Sequence, residues 1–207
     1  MYWMSKETEK EEKEEKKKPE PFFGDDSSDD AIQVVGNKIY YYAEIKRKNI
    51  LKLNKKIKEL ELKLIGLGKT FNWEPPPIHL HINSFGGSIF AGVAAVDQIL
   101  NCQIPVHTLI DGCAASAATF LSVVGKKRYI NKHAHILIHQ LSSGFWGKFS
   151  EIEDEVKNLK RFMDMIKDLY IEHTKIPKKK LDKLLKHDLW LTPEEALKYG
   201  MVDEIIG

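Results

Sequence analysis

The sequence predicts an α/β fold, with strands and helices alternating through one domain from residue 31 to residue 207. Two patterns predict it. Short runs rich in β-branched and aromatic residues recur at 38–45, 78–83, 105–111, 128–130 and 135–140. Between and after them lie apolar stripes at three- and four-residue spacing, the period of a helix packed on a sheet. Strands separated by such helices join through right-handed crossovers. A chain of 207 residues has room for one such domain with a sizeable core and scarcely for two.

The first thirty residues stand apart. Residues 5–18 alternate lysine and glutamate almost without apolar side chains, and Pro19, Pro21 and Gly24 lead into the run GDDSSDD. Residues 1–30 are therefore expected to be a charged, disordered tail and linker, with Phe22 and Phe23 as an apolar exception.

The domain opens with KIYYYAEI (38–45), a strand by propensity. From 46 to 65 the period changes, and Ile50, Leu53, Ile57, Leu60 and Leu64 form one stripe on a lysine-rich helix. Two heptads are too few for a free-standing coiled coil, so the stripe is expected to pack on the core or between subunits. Gly66, Gly68 and the Pro75–Pro77 run mark a loop. IHLHIN (78–83) is the next strand, followed by Gly86–Gly87 and the small-residue helix SIFAGVAAVDQIL (88–100). PVHTLID (105–111) is a third strand, running into the small-residue segment 112–125. Residues 128–130 and HILIHQ (135–140) add further strands. Ser150 and Glu153 form a capping box for a helix with Ile152, Val156, Leu159, Met163 and Ile166 on one face. Thr192, Pro193 and Glu195 cap the last helix.

Composition excludes several functions. A net charge of +2, with lysine and glutamate mixed along the chain, leaves no basic stripe for nucleic acid. Two cysteines, Cys102 and Cys113, make neither a disulfide framework nor a cysteine-rich zinc site and read as reduced packing residues. No apolar run resembles a signal peptide or a spanning helix, so a soluble, cytoplasmic protein without a membrane partner is expected.

Four segments carry candidate chemistry. In DGCAASAATF (111–120), Ser116 enters a helix straight after a strand, which places its hydroxyl at the end of the sheet beside unpaired backbone N–H groups. Small residues at 114, 115, 117 and 118 let a peptide approach it. These features suit a nucleophile with an adjoining oxyanion site, and they also suit a serine on a tightly packed helix. Gly86–Gly87 at a helix start permits backbone angles closed to other residues, whether for an oxyanion site or for a plain turn. His139 ends an apolar strand, and Asp188 precedes an apolar pair and a capped helix; each has an ordinary structural reading when taken alone.

Taken together, the four segments resemble the proteolytic subunit of the Clp protease family. The glycine motif is matched by Ile82-Asn83-Ser84-Phe85-Gly86-Gly87, the nucleophile segment by Gly112 to Ala118, and the histidine segment by Ile138-His139-Gln140. The aspartate segment is matched by Asp188, Trp190-Leu191-Thr192, Glu195-Ala196, Tyr199-Gly200 and Val202-Asp203. The resemblance covers residues 38 to 207 and keeps the order Ser, His, Asp.

It implies the fold shared with crotonases, a superhelix of β-β-α units with an extended handle strand and helix. It implies a serine endopeptidase in which Ser116 is the nucleophile, His139 the general base and Asp188 the residue orienting that base. The N–H groups of Gly87 and Ala117 would form the oxyanion hole, and the chemistry needs no metal or organic cofactor. The implied substrate is a peptide or unfolded protein. The implied assembly is a homo-oligomer of two stacked seven-membered rings, buried through the 46–65 stripe and the segment 144–149 with its following helix. A Clp-type ATPase is the implied partner.

Departures concentrate at the N-terminus, where the charged tail replaces the family's apolar pore segment, so activation by such an ATPase is expected to be weak or absent. Phe85 replaces a usual proline, Ala117 a common methionine and His187 a frequent arginine, and Leu141-Ser142-Ser143 interrupts the stretch after His-Gln. This describes a divergent member, of the kind a virus or phage carries, with protein turnover or head-maturation processing as its role. Two rivals remain: a crotonase-type acyl-CoA enzyme and a non-catalytic assembly subunit of the same fold. The histidine pairs His79/His81 and His133/His135 have the spacing of zinc ligands without an evident carboxylate partner, and no metal is expected.

Overall fold

In the computed structural model, which describes residues 31–207, the chain enters its sheet through a hairpin. Strand β1 (Ile32–Val35) turns at Gly36, whose φ of 62° needs a glycine-tolerant position, and returns antiparallel as β2 (Lys38–Tyr41). The tail and linker expected over residues 1–30 lie outside the described residues.

Parallel strands follow. β3 (Ile78–Ser84) pairs with β2, β4 (Val106–Ala115) with β3, β5 (Arg128–Asn131) with β4, and β8 (Glu204–Ile206) with β5. The α/β fold class and its parallel connectivity are as the sequence predicts. The ten-residue β4 forks. Thr108–Ile110 pairs with β5, while Cys113–Ala115 pairs with β6 (His135–Leu137), itself joined antiparallel to β7 (Trp190–Leu191). That second ladder explains why β4 extends four residues past the expected 111. Pairing with β6 holds the small residues 112–115 in a strand, and helix α3 is confined to Ala118–Val123.

Helix α1 (Arg47–Phe71) carries the expected stripe and runs six residues further than expected, ending at Asn72 in the left-handed region. Ile50, Leu53, Ile57, Leu60 and Leu64 are all buried within the single chain, packed between the sheet and α2 (Ile89–Leu100). Their expected burial between subunits is therefore corrected: the protein's own β1–β3 and α2 already cover the face.

Helix α4 (Phe149–His173) occupies the place of the handle helix. It begins ahead of the expected cap. Glu151, not Glu153, closes the first turn by accepting the Lys148 N–H at 2.9 Å, because it stands three residues after the N-cap. Of its expected apolar face, Ile166 is buried, with Tyr170 one turn further, while Ile152 and Val156 are exposed. The segment 144–149, where the resemblance implies an extended handle strand, forms no ladder among the described residues, and its last residue, Phe149, already opens α4. Two short helices, α5 (Lys178–Leu184) and α6 (Pro193–Lys198), flank β7. The capping box expected at Thr192 is present, with Glu195 N–H on Thr192 Oγ1 at 3.3 Å and Thr192 N–H on Glu195 Oε2 at 3.0 Å.

Candidate active site

Ser116 opens the two-residue turn between β4 and α3 with φ of 52°, in the left-handed region. A non-glycine residue there costs on the order of 1–3 kcal/mol and persists only when its surroundings over-determine it. Three hydrogen bonds do so. The Ser116 N–H donates to Leu137 O at 2.8 Å, and Ser116 O accepts from Thr119 N–H at 2.9 Å and from Thr119 Oγ1 at 2.6 Å. Such a turn lifts the serine side chain off the sheet end, where it lines a small pocket together with His139, Gly87, Ser142, Ile166 and Tyr170.

The Gly86–Gly87 turn lies directly against this serine. At Gly86 (φ 96°) a Cβ would stand 2.5 Å from Ala115 O and 2.8 Å from Ser116 Cβ, so only glycine allows the approach. The turn is clamped by Ile45, whose N–H donates to Gly86 O and whose carbonyl accepts Ser88 N–H, both at 2.7 Å. Among the described residues, neither the Gly87 N–H nor the Ala117 N–H has a hydrogen-bond partner. Two donors are thus left on either side of Ser116, which is what a developing oxyanion requires.

His139 follows β6 and is half-buried. Its Nδ1 lies 2.6 Å from Gln140 O. A carbonyl can only accept, so the neutral ring is the Nδ1–H tautomer and Nε2 carries the lone pair, the state a general base needs.

Asp188 is exposed and makes no hydrogen bond to His139 among the described residues. The chain nevertheless brings it near. The β6–β7 register pairs Ile136 with Leu191 and Leu137 with Trp190, so the ladder closes two residues before His139 and two residues after Asp188. The Gln140 N–H also bonds to Leu185 O at 2.7 Å, tying the histidine segment to the end of α5. The structure therefore lines one pocket with Ser116, His139 and Gly87 and sets Ala117 next to the serine in the chain, while neither a Ser116–His139 nor a His139–Asp188 side-chain hydrogen bond is formed among the described residues.

Several participants escape sequence reasoning. Tyr170 Oη lies 2.6 Å from Thr119 Oγ1, behind the serine turn. Its one sequence signal is the four-residue step from Ile166 along the α4 stripe. Phe85 meets Trp190 edge-on, with ring centroids 6.3 Å apart, joining the glycine turn to the strand after Asp188. His81 gains the carboxylate that the sequence did not reveal, Nδ1 lying 3.0 Å from both oxygens of Asp111. His79 instead faces His107 edge-on at 5.3 Å, and His135 Nδ1 lies 3.1 Å from His133 O. Cys102 and Cys113 are unpaired and half-buried, with burial pushing both thiols up, as expected of packing residues.

The Clp protease family model matches residues 41–207, the whole domain after the first hairpin. The ATP-dependent Clp protease proteolytic subunit of Deinococcus radiodurans is 37% identical over 131 residues, covering 62% of this chain and 64% of that protein. The match thus spans a little under two thirds of that relative's length, while the family model spans most of this chain. This chain belongs to the Clp protease family.

Proposed function

We propose that the protein is a serine endopeptidase that hydrolyses peptide bonds by acyl transfer at Ser116. The observation that carries this reading is the serine held at φ 52° between the two unpartnered N–H groups of Gly87 and Ala117, in one pocket with an Nδ1–H histidine. Nε2 of His139 takes the Ser116 proton as Oγ attacks the peptide carbonyl, and the tetrahedral oxyanion is held by the Gly87 and Ala117 N–H groups. The same proton then passes to the leaving amine, and water repeats the sequence to release the acyl group. Asp188 holds the imidazole once it takes Nδ1–H from the Gln140 carbonyl.

The pocket holds about 70 Å³, room for a few waters but not for a large side chain, so the substrate lies across its mouth as an extended chain. An unfolded polypeptide or short peptide meets that demand. The segment leading from His139 into α4 exposes Trp146 (95%), Phe149 (77%) and Phe145 (51%), with Val156 on the helix beyond. Apolar surface of this kind calls for a covering partner, and a second copy of the chain fits it, giving the ring assembly implied by resemblance and enclosing the sites in a chamber. No helix among the described residues is long and apolar enough to cross a membrane, and we place the enzyme in the cytoplasm. Acyl transfer consumes no nucleotide. Short peptides are therefore cleaved without an ATPase, which would serve only to unfold and deliver larger substrates.

The test is hydrolysis of a short fluorogenic peptide by the wild type and by Ser116→Ala. The variant is expected to keep its circular-dichroism spectrum and lose hydrolysis. A folded Ser116→Ala protein with the wild-type rate would overturn the reading.

A further inference from the structure

We infer that Thr119 and Tyr170 form a hydrogen-bond relay that positions and polarises the Ser116–Ala117 peptide, and so sets the strength of one oxyanion donor. The inference rests on the Ser116 reading above and names two positioning residues for it. It starts from peptide geometry. Ser116 C=O and Ala117 N–H belong to one planar trans unit, so whatever orients the carbonyl orients the N–H at its other end.

The carbonyl end is held unusually well, accepting from Thr119 N–H at 2.9 Å and from Thr119 Oγ1 at 2.6 Å. Proton counting then gives the relay a direction. A carbonyl oxygen has no proton, so the single hydroxyl proton of Thr119 is committed to Ser116 O. Tyr170 Oη, 2.6 Å from Thr119 Oγ1, must therefore be the donor to it. The sequence of bonds runs Tyr170 O–H to Thr119 Oγ1, then Thr119 O–H to Ser116 O.

Thr119 and Tyr170 are buried at 0% and 1% exposure, where hydrogen bonds in series polarise one another. Electron density drawn toward the Ser116 oxygen leaves the Ala117 N–H more positive, which favours an anion in front of it. Burial pushes the Tyr170 hydroxyl well above its ordinary range, so it stays a donor at every working pH. A buried tyrosine needs a partner in any case. The distinguishing point is that this one ends on the peptide that carries the proposed oxyanion donor.

The experiment measures kcat and KM separately on a short fluorogenic peptide, using the full chain in its assembled state. It compares wild type, Ser116→Ala, Thr119→Val, Thr119→Ser, Tyr170→Phe and the double variant T119V/Y170F, with inhibition by a peptide boronate, whose serine adduct carries an anionic oxygen at that position. Thr119→Val should lower kcat by ~10–100-fold with KM within about twofold, less than the full loss of an oxyanion donor. Tyr170→Phe should lower it by about 3–10-fold, and the double variant should be no worse than Thr119→Val, because the relay passes through Thr119. Thr119→Ser should recover most of the rate, and boronate affinity should fall in step with kcat. If Thr119→Val does not fold, Tyr170→Phe and Thr119→Ser carry the test, since the first removes only the hydroxyl and the second keeps the hydroxyl and removes only a methyl group. Wild-type kcat in Tyr170→Phe and Thr119→Val, or a loss confined to KM, overturns the relay. Should Ser116→Ala itself remain active, the underlying reading has failed; a dead Ser116→Ala beside fully active relay variants sinks the relay alone.

Discussion

The backbone N–H of Ser116 donates to the carbonyl of Leu137 at 2.8 Å, which ties the serine turn to β6 two residues before His139. One short strut thus links the two residues proposed to exchange a proton, and it does so through backbone that no side-chain substitution removes. The fork in β4 is what makes this possible, because the strand must leave β5 and join β6 for its end to arrive beside the histidine.

The strain at Ser116 has a measurable signature. Alanine at φ 52° retains the Cβ penalty of ~1–2 kcal/mol, whereas glycine sheds it and loses roughly 0.5–1 kcal/mol to unfolded-state entropy. Chemical denaturation should therefore find Ser116→Gly more stable than Ser116→Ala by about 0.5–1 kcal/mol, both being inactive. A glycine variant less stable than the alanine variant contradicts a strained turn.

Asp188 offers a choice between two orienting groups. His139→Ala should lose hydrolysis as completely as Ser116→Ala. Asp188→Asn should lower kcat by as much as ~10⁴-fold if the carboxylate orients the imidazole during turnover. An Asp188→Asn enzyme at the wild-type rate would instead assign that task to the Gln140 carbonyl, which already sits 2.6 Å from Nδ1.

Two sets of apolar residues should separate assembly from folding. Trp146→Ser with Phe149→Ser removes exposed apolar surface, so light scattering should show smaller species while the folded chain keeps its stability. Leu53, fully buried on α1, behaves differently: Leu53→Ala should destabilise the chain by about 2–5 kcal/mol, whereas Leu62→Ala, exposed on the same helix, should stay within ~0.5 kcal/mol. Loss of assembly in a Leu62→Ala protein would return α1 to the subunit interface.

Acid should weaken the fold through His79 and His107. Burial pulls both imidazoles below their usual range; repulsion from His81 and Lys38 adds to it at His79, and repulsion from His79 and Lys127 adds to it at His107. The unfolded chain then binds protons that the folded chain refuses, so this contribution is fully present above about pH 6.5 and is lost as pH falls below it. Thermal midpoints between pH 7 and pH 5 should fall more steeply for the wild type than for His79→Asn/His107→Asn. Keeping above pH 4.5 avoids Asp203, whose carboxyl is held low chiefly by its Arg128 hydrogen bond and whose contribution disappears only further into acid. Equal slopes would contradict half-buried neutral rings.

The order of strands and helices was legible in the sequence because period and propensity are local, and so were Ser116, the glycine pair and His139, each at a strand end. What covers a face is not local. The α1 stripe was visible as Ile50, Leu53, Ile57, Leu60 and Leu64, but only the folded chain shows β1–β3 and α2 lying on it. The extension of β4 through Cys113–Ala115 depends on a partner strand twenty residues later, and the His81–Asp111 and Thr119–Tyr170 contacts join residues 30 and 51 positions apart. The β1–β2 hairpin was within reach, since Gly36-Asn37 between two apolar runs is a turn signal. Asp188 was legible as a candidate, but its exposed position was not.

The most direct test of the central claim is covalent labelling. The full chain is treated with a fluorophosphonate, digested, and the adduct located by peptide mass. The account predicts one phosphonyl group on Ser116, much slower labelling in His139→Ala, and none in Ser116→Ala. An adduct on another residue, or undiminished peptide hydrolysis by a protein whose Ser116 remains unlabelled, would contradict it.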